Sequence, residues 1–281
     1  MGCRFNKKGS GLVKKHYGKC ALCGKECELT FEHIPPKGAF NSMPARPVSG
    51  VDLFKEEVLN DDSRMPWDTS GMRYDNQQQG MGRYSLCQEC NNNTGSWYGE
   101  DYITFARTLD NAMVNHNPNN DGNAIGFRDM YPLRLIKQVL SMFCSLLSPD
   151  DSRIDDIRRF VLDKNATGLD KTKYKVCAYF TNSTLMKHTG FTVVLRGDLS
   201  NIKSMAMSEI TAYPLGYILY FNPIDTWNYQ GVDITACADF KYDEKADILF
   251  PWHIKEMNDI YPETFRSRDE IRECIRYNND I

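Results

Sequence analysis

The chain has 281 residues, with 34 lysines and arginines against 37 aspartates and glutamates, so its formal net charge is −3. This near-neutral charge excludes a uniformly basic nucleic-acid coat protein, and the 41% of apolar residues suffices for a buried core. No run approaches the ~18 apolar residues of a membrane-spanning helix, and the first residues lack a secretory signal. We therefore expect a cytoplasmic protein that does not bind membranes.

Basic residues are concentrated at the start of the chain. Residues 1–25 carry seven lysines and arginines and no acidic residue, so the remainder has a net charge of about −10 (−3 − 7). Residues 1–16 form a predicted basic arm, in which Lys14 and Lys15 can contact a phosphate backbone. The alternative is a solvated terminus that binds nothing.

The first predicted elements are a turn and a short strand over residues 28–32, where polar and apolar residues alternate. Two prolines then end regular pairing, and residues 41–86 are weakly patterned, which is typical of a long inserted loop. After Cys90 a polar run at residues 91–94 can cap a helix. Apolar residues continue that helix at helical spacing: Tyr98, Tyr102, Phe105, Leu109 and Met113.

A stretch rich in turn-forming residues at 115–126 predicts a domain boundary. Beyond it, residues 127–281 form a predicted second domain that begins with two helices, the first with Pro132 in its first turn. Predicted strands follow at 174–181, 190–196, 206–213, 215–221 and 232–242, and a helix at 268–277 closes the chain. This order predicts an α+β fold with an antiparallel sheet.

Four of the ten cysteines stand in two C-x2-C pairs, Cys20 with Cys23 and Cys87 with Cys90. Two such pairs can supply four thiolates to one tetrahedral Zn2+, so we predict a structural zinc site. A rubredoxin-like iron site and two unrelated reduced pairs are the alternatives. Cys27 lies four residues after Cys23 and can replace one of the ligands.

A second group of polar residues lies beside the cysteine pairs in the sequence. Glu32 and His33 end the first predicted strand, and Asn91 directly follows Cys90. A zinc ion that joins the two segments would bring these three side chains together. A carboxylate, an amide oxygen and an imidazole suit a hard divalent cation with a general base beside it.

This order of residues, C-x2-C, Glu-His-Ile-Pro-Pro, then C-x2-C-Asn, resembles the zinc-stapled form of the HNH (His-Me finger) nucleases. The resemblance implies a ββα-metal core within residues 17–115. It implies that His33 activates water and that Glu32 and Asn91 hold one Mg2+ or Mn2+ ion. Cys20, Cys23, Cys87 and Cys90 would bind the structural zinc. Independently of the resemblance, Lys37 after the two prolines can contact a phosphate, and a solvated lysine is the alternative.

The sequence departs from the family pattern at two places. Glu32 stands where aspartate is commoner, and the middle asparagine of the motif, which braces the catalytic loop, is missing. Gly82 and Arg83 occupy its stretch. Asn60 and Asn76 are the two candidates for the bracing role.

The resemblance implies a metal-dependent endonuclease that hydrolyses DNA, with RNA as a second substrate class. Such nucleases joined to an unfamiliar domain resemble bacterial anti-phage or restriction effectors. For the second domain the sequence leaves open a regulatory protein partner or a second copy of the chain. The competing hypothesis is a non-catalytic zinc module that binds nucleic acid or protein.

Overall fold

The computed structural model describes residues 15–59, 64–116, 123–197, 200–258 and 261–279. A three-stranded antiparallel sheet comes first in the chain. Strand β2 lies in its centre and pairs with β1 on one side and β3 on the other. The predicted strand over 28–32 is confirmed and extends further at both ends. The three strands are β1 (His16–Lys19), β2 (Glu26–His33) and β3 (Gly82–Cys87).

The connection between β2 and β3 spans residues 34–81 and folds back on itself. Its described part contains a 3-10 helix, Gly50–Phe54, and a short helix α1, Glu56–Leu59. Isolated antiparallel bridges join Ala45 to Gln77 and Val48 to Tyr74. The connection therefore leaves the end of β2 and returns to the start of the neighbouring strand β3, where His33 pairs with Gly82.

A long helical segment follows β3 without interruption. It consists of α2 (Gln88–Thr94), a π-helical turn (Gly95–Gly99) and α3 (Glu100–Asn115). The predicted cap at residues 91–94 is wrong, because the helix begins at Gln88 and the Cys87 thiol caps it by accepting the Cys90 N–H. The predicted apolar spacing is confirmed in part: Tyr98, Tyr102, Phe105 and Leu109 are buried.

The next strand, β4 (Ala124–Met130), leads into helix α4 (Pro132–Leu146). The prediction of α4 is confirmed, with proline at its start, and every residue of it except Arg134 is buried. It is buried all round because it packs against α3, the π-helical turn, β3 and the following helix α5 (Asp155–Leu162). A 3-10 helix, Ser152–Ile154, joins α4 to α5.

A larger sheet follows, with strand order β11-β5-β8-β7-β6 and β9 paired to β5. Its pairs are antiparallel except β11 with β5. Its strands are β5 (Tyr174–Thr181), β6 (Lys187–Arg196), β7 (Lys203–Ala212), β8 (Leu215–Phe221), β9 (Val232–Asp233) and β11 (Ile254–Lys255). The α+β prediction with antiparallel sheets is confirmed.

The predicted strand over 232–242 is wrong beyond β9. Asp233 accepts a hydrogen bond from the Thr235 N–H at 2.9 Å, and the 3-10 helix Thr235–Asp239 follows. The sequence also missed the two-stranded pairing of β4 with β10 (Ala246–Pro251). The predicted closing helix is confirmed as α6, Arg268–Asn279.

The main cluster of buried side chains draws on both predicted domains. It includes Cys20 and Leu86 near the first sheet, Val139 on α4 and Leu219 on β8. The proposed boundary at 115–126 stays a prediction, since residues 117–122 lie outside the described part of the chain. Across the described ranges, the helices are too short or too polar to cross a bilayer.

Candidate metal centre and adjoining pocket

The four cysteines of the two C-x2-C pairs meet at one point. The Sγ atoms of Cys20, Cys23, Cys87 and Cys90 all lie within 4.8 Å of one another. The Cys23 and Cys87 sulfurs are 3.9 Å apart, close to the ~3.8 Å edge of a tetrahedron with Zn–S bonds of ~2.3 Å. The cluster can therefore bind a metal ion such as zinc.

A tight turn positions the first cysteine pair, and the start of α2 positions the second. The Gly24 N–H donates to the Cys20 carbonyl at 2.9 Å, with Gly24 at φ +72°, where a glycine is favoured. The Cys87 N–H donates to the Cys20 sulfur at 3.3 Å. The Cys90 thiol, together with such backbone donors, lowers the pKa of Cys20 below its usual value, which favours the thiolate that metals bind.

Cys27 is not a member of the cluster. Its thiol donates instead to the Lys25 carbonyl at 3.4 Å, so the alternative in which Cys27 replaces a ligand is wrong for this arrangement. Among the described residues, no other group of three or more histidine, cysteine or acidic side chains is spaced to hold an ion.

Arg158 on α5 holds the first cysteine turn in place, a role the sequence did not reveal. Its Nε donates to the Ala21 carbonyl at 2.9 Å, and its other nitrogens bind the Ser148 and Asp151 carbonyls. Arg158 is only 8% exposed. The cysteine turn is therefore fixed from α5 as well as from within the first sheet.

The three predicted catalytic residues line one pocket of about 190 Å³ between the end of β2 and the long helix. Glu32 and His33 come from the strand and Asn91 from α2, so the structure brings them together as the spacing predicted. Lys37 lines the same pocket. The remaining lining residues are Phe31, Pro36, Gly95, Gly99, Glu100, Ile103 and Gln138.

Glu32 is a buried carboxylate, 7% exposed. Within the described part of the chain, no hydrogen-bond donor or cation lies within bonding distance of it. Burial alone raises the pKa of this carboxyl group to about 8. A buried acid without a partner is destabilising, and a divalent cation in the pocket would supply the missing positive charge.

His33 is held in one orientation by the backbone. Its Nε2 lies 3.0 Å from the Gln79 carbonyl oxygen, which can only accept, so Nε2 carries the proton and Nδ1 keeps its lone pair. Burial lowers the pKa of His33, and the charge of Lys37 lowers it further, against the opposing effect of the Gln79 hydrogen bond. The imidazole is therefore neutral near pH 7, as a general base must be.

Asn91 is oriented by β2. Its amide nitrogen donates to the Thr30 hydroxyl at 2.9 Å and to the Phe31 carbonyl at 3.4 Å, so its side-chain oxygen faces away from those partners. Together with the Glu32 carboxylate, this amide oxygen forms a donor set that Mg2+ and Mn2+ favour. The residues present thus fit a hard divalent cation.

Asn41 braces the loop between the strands. Its side-chain nitrogen donates to the Pro35 and Met81 carbonyls, and its oxygen accepts the Met81 N–H, each at 2.7 Å. Gly80, at φ +105°, lies so close to the Asn41 carbonyl that a Cβ atom would clash. Neither sequence candidate has this role: Asn76 accepts a hydrogen bond from Gln78, and Asn60 lies outside the described residues.

The predicted phosphate-contacting lysines have different surroundings. Lys37 is exposed at the rim of the pocket. The Lys15 ammonium forms an ion pair with Glu28 across β1 and β2, at 2.8 Å. Lys14 and most of the predicted basic arm lie outside the described residues.

Comparison with known proteins found no match. No protein-family model, no curated protein and no solved structure matches it. The residues of the pocket and of the cysteine cluster are therefore the evidence for the function of this chain.

Proposed function

We propose that this protein is an HNH-type endonuclease that hydrolyses phosphodiester bonds in DNA with the help of a divalent cation. The observation that carries the proposal is the meeting of Glu32, His33 and Asn91 in one pocket at the end of a β hairpin and the start of a helix. An unpartnered acid, a neutral imidazole and an oriented amide are the groups that this chemistry requires.

In the proposed reaction His33 is the general base. Its Nδ1 accepts a proton from a water molecule, which attacks the scissile phosphorus while the bond to the leaving oxygen breaks. The Gln79 carbonyl stabilises the imidazolium that forms, because Nε2–H already donates to it. Glu32 and Asn91 would hold the cation, which when bound would neutralise charge on the phosphate and on the leaving oxygen.

The cysteine cluster has a structural role in this proposal. Four thiolates close the coordination sphere of a zinc ion and leave no position for a substrate. The cluster joins the first cysteine turn to the residues that start α2, so a zinc ion there would fix Asn91 relative to the end of β2.

The experiment is cleavage of plasmid DNA by the full chain, with and without Mg2+ or Mn2+, and with an RNA of mixed sequence as a second substrate. We expect cation-dependent cleavage that His33→Ala reduces by about 10²- to 10⁴-fold. His253→Ala is the matched control, since His253 lines a different pocket, and it should cleave like the wild type.

Equal cleavage by the wild type and His33→Ala would reject the assignment of the base. Nucleic-acid binding without cleavage under any of these cations would reject the nuclease and favour the non-catalytic zinc module. Cleavage of RNA but not of DNA would keep the mechanism and change the substrate class.

A further inference from the structure

A groove extends from the proposed catalytic residues along the long helix. Asn91, Gly95 and Gly99 follow one another at intervals of four residues and all line the pocket. Eight helical residues span about 12 Å, so the groove extends well beyond the three proposed catalytic residues. Beyond Asn91 the helix backbone itself lines the groove, because Gly95 and Gly99 have no side chains.

Neither backbone conformation nor packing requires glycine at these two positions. Gly95 has φ −60° and ψ −45°, and Gly99 has φ −63° and ψ −40°, which are ordinary helical values. A Cβ atom at Gly95 would meet nothing within 4 Å, and one at Gly99 would meet only the Gln138 Oε1, at 3.8 Å. Glycine is unfavourable inside a helix, so what these residues contribute is the open space above them.

At the far end of the groove lies a buried amide whose oxygen has no partner among the described residues. Gln138, on α4, is 2% exposed, and its Oε1 accepts no hydrogen bond within the described residues. Its neighbour Lys137 is also buried but donates to the Asp163 carbonyl at 2.5 Å. An unpaired buried amide oxygen costs free energy, and a ligand with a hydrogen-bond donor would remove that cost.

The two ends of the groove differ in charge. Lys37 and His33 line the end that the proposed mechanism gives to the phosphate, whereas Glu100 and Gln138 line the far end. The Glu100 carboxylate would repel a phosphate there, and both far-end side chains can accept hydrogen bonds. The apolar side chain of Ile103 completes this end. The far end therefore suits an uncharged group that carries N–H or O–H donors.

We infer that the groove over Gly95 and Gly99 binds the nucleoside next to the scissile phosphate, with a hydrogen bond from that nucleoside to Gln138. The inference rests on the proposed nuclease function and names the substrate contacts of the same site. The donor is either an amino group of the base or a hydroxyl of the sugar.

The test is the affinity for a fluorescein-labelled DNA oligonucleotide and for an RNA of the same sequence, measured by fluorescence anisotropy. Every variant carries His33→Ala, so that the oligonucleotides stay intact. We expect Gly99→Ala to weaken binding about tenfold or more by filling the groove, and Gln138→Leu to weaken it about three- to tenfold. If the donor is a sugar hydroxyl, Gln138→Leu should weaken the binding of RNA only. If the donor is an amino group of the base, Gln138→Leu should weaken the binding of both DNA and RNA.

Matched controls lie on the same two helices. Ser96→Ala adds no volume to the groove, and Ser141→Ala removes a buried unpartnered hydroxyl of α4 outside the pocket. Both should bind like the parent. The melting temperature of Gly99→Ala should equal or exceed that of the parent, because alanine favours the helix.

Unchanged affinity in both Gly99→Ala and Gln138→Leu, with cleavage by the wild type intact, would overturn the groove assignment alone. A fall in the melting temperature of Gly99→Ala, with unchanged affinity in Gln138→Leu, would also overturn it, since glycine would then be needed for the fold. Absence of cleavage by the wild type would overturn the proposed function and the groove assignment together.

Discussion

Two buried glutamates, one in the pocket and one in the larger sheet, differ in what surrounds them. Glu209, on β7, is fully buried and accepts hydrogen bonds from the Tyr179 hydroxyl at 2.8 Å and the Glu263 N–H at 3.0 Å. Lys187 pairs with it at 2.9 Å. Glu32, on β2, is almost as buried, and nothing in the described part of the chain pairs with it.

The difference is whether the protein itself supplies a partner for the buried acid. The carboxylate in the sheet is satisfied by the protein itself, so its burial contributes to a fixed core. No described residue pairs with the carboxyl group in the pocket, and a bound cation would supply the partner that it lacks. The same contrast distinguishes Lys137 from Gln138 on α4, where the Lys137 ammonium has a partner and the Gln138 Oε1 has none among the described residues.

The largest expected effect follows the loss of a metal ligand from the cysteine cluster. Cys90→Ser should abolish zinc binding and, since structural zinc contributes about 10 kcal/mol or more, unfold the first sheet. Zinc content by elemental analysis and amide hydrogen exchange measure this. Protection should be lost across β2 and β3 and retained across β5 and β8.

Cys27→Ser is the control for that experiment, because Cys27 lies outside the cluster. It should keep one zinc per chain and the wild-type melting temperature. A folded, zinc-free Cys90→Ser variant would contradict the structural role of the metal.

The two buried acids should differ in how much stability is lost when each is replaced by its amide. Glu209→Gln leaves the Lys187 ammonium without its counter-charge and should cost about 3 kcal/mol of unfolding free energy. Glu32→Gln removes an acid that has no counter-charge to lose, so without added cation it should cause no loss of stability. Urea unfolding of both variants measures the difference, and equal destabilisation would refute the contrast.

Replacement of Asn41 should affect both stability and catalysis. Asn41→Ala removes three hydrogen bonds that hold the loop to Pro35 and Met81, which should cost about 2–3 kcal/mol. The Gln79 carbonyl that orients His33 lies two residues from Met81, so we also expect slower cleavage. Thermal melting and the rate constant of cleavage test this, with the exposed Asn76→Ala as control. Wild-type cleavage by Asn41→Ala would show that the brace does not position His33.

The smallest expected effect is a pH dependence due to Lys137. Burial lowers the pKa of this lysine to about 8, so between pH 8 and 10.5 the unfolded chain binds more protons than the folded protein. Stability should therefore rise with pH in this window, by about 1.5 kcal/mol between pH 8 and 9.5. The rise should be absent in Lys137→Met, and an identical pH profile in the two proteins would contradict it.

The sequence predicts those elements that short-range patterns specify, such as a proline at a helix start or a run of apolar residues. The proline and the apolar spacing marked α4, the runs at 174–181 and 215–221 gave the bounds of β5 and β8, and the two cysteine pairs predicted the cluster. The pairing of β4 with β10 joins segments more than 100 residues apart, and neither segment shows a regular alternation. Only tertiary packing specifies that pair.

The pocket could be predicted only in part, because local patterns mark some of its residues and tertiary packing alone positions the others. Glu32, His33 and Asn91 follow from their positions beside the cysteines. Asn41 was missed because its bracing role depends on where residues 34–81 return to the sheet. Gln138 was missed because it lies within an apolar helix, where nothing in the sequence distinguishes an unpartnered polar residue from a partnered one.

The central claim is that Glu32 and Asn91 hold a divalent cation beside His33. Titration of the zinc-loaded protein with Mn2+, followed by the loss of the free-ion electron paramagnetic resonance signal, tests it directly. We expect one Mn2+ per chain, with affinity reduced about tenfold or more in Glu32→Gln and unchanged in Glu28→Gln, an exposed position of the same strand. Equal Mn2+ binding by the wild type and Glu32→Gln would contradict the claim.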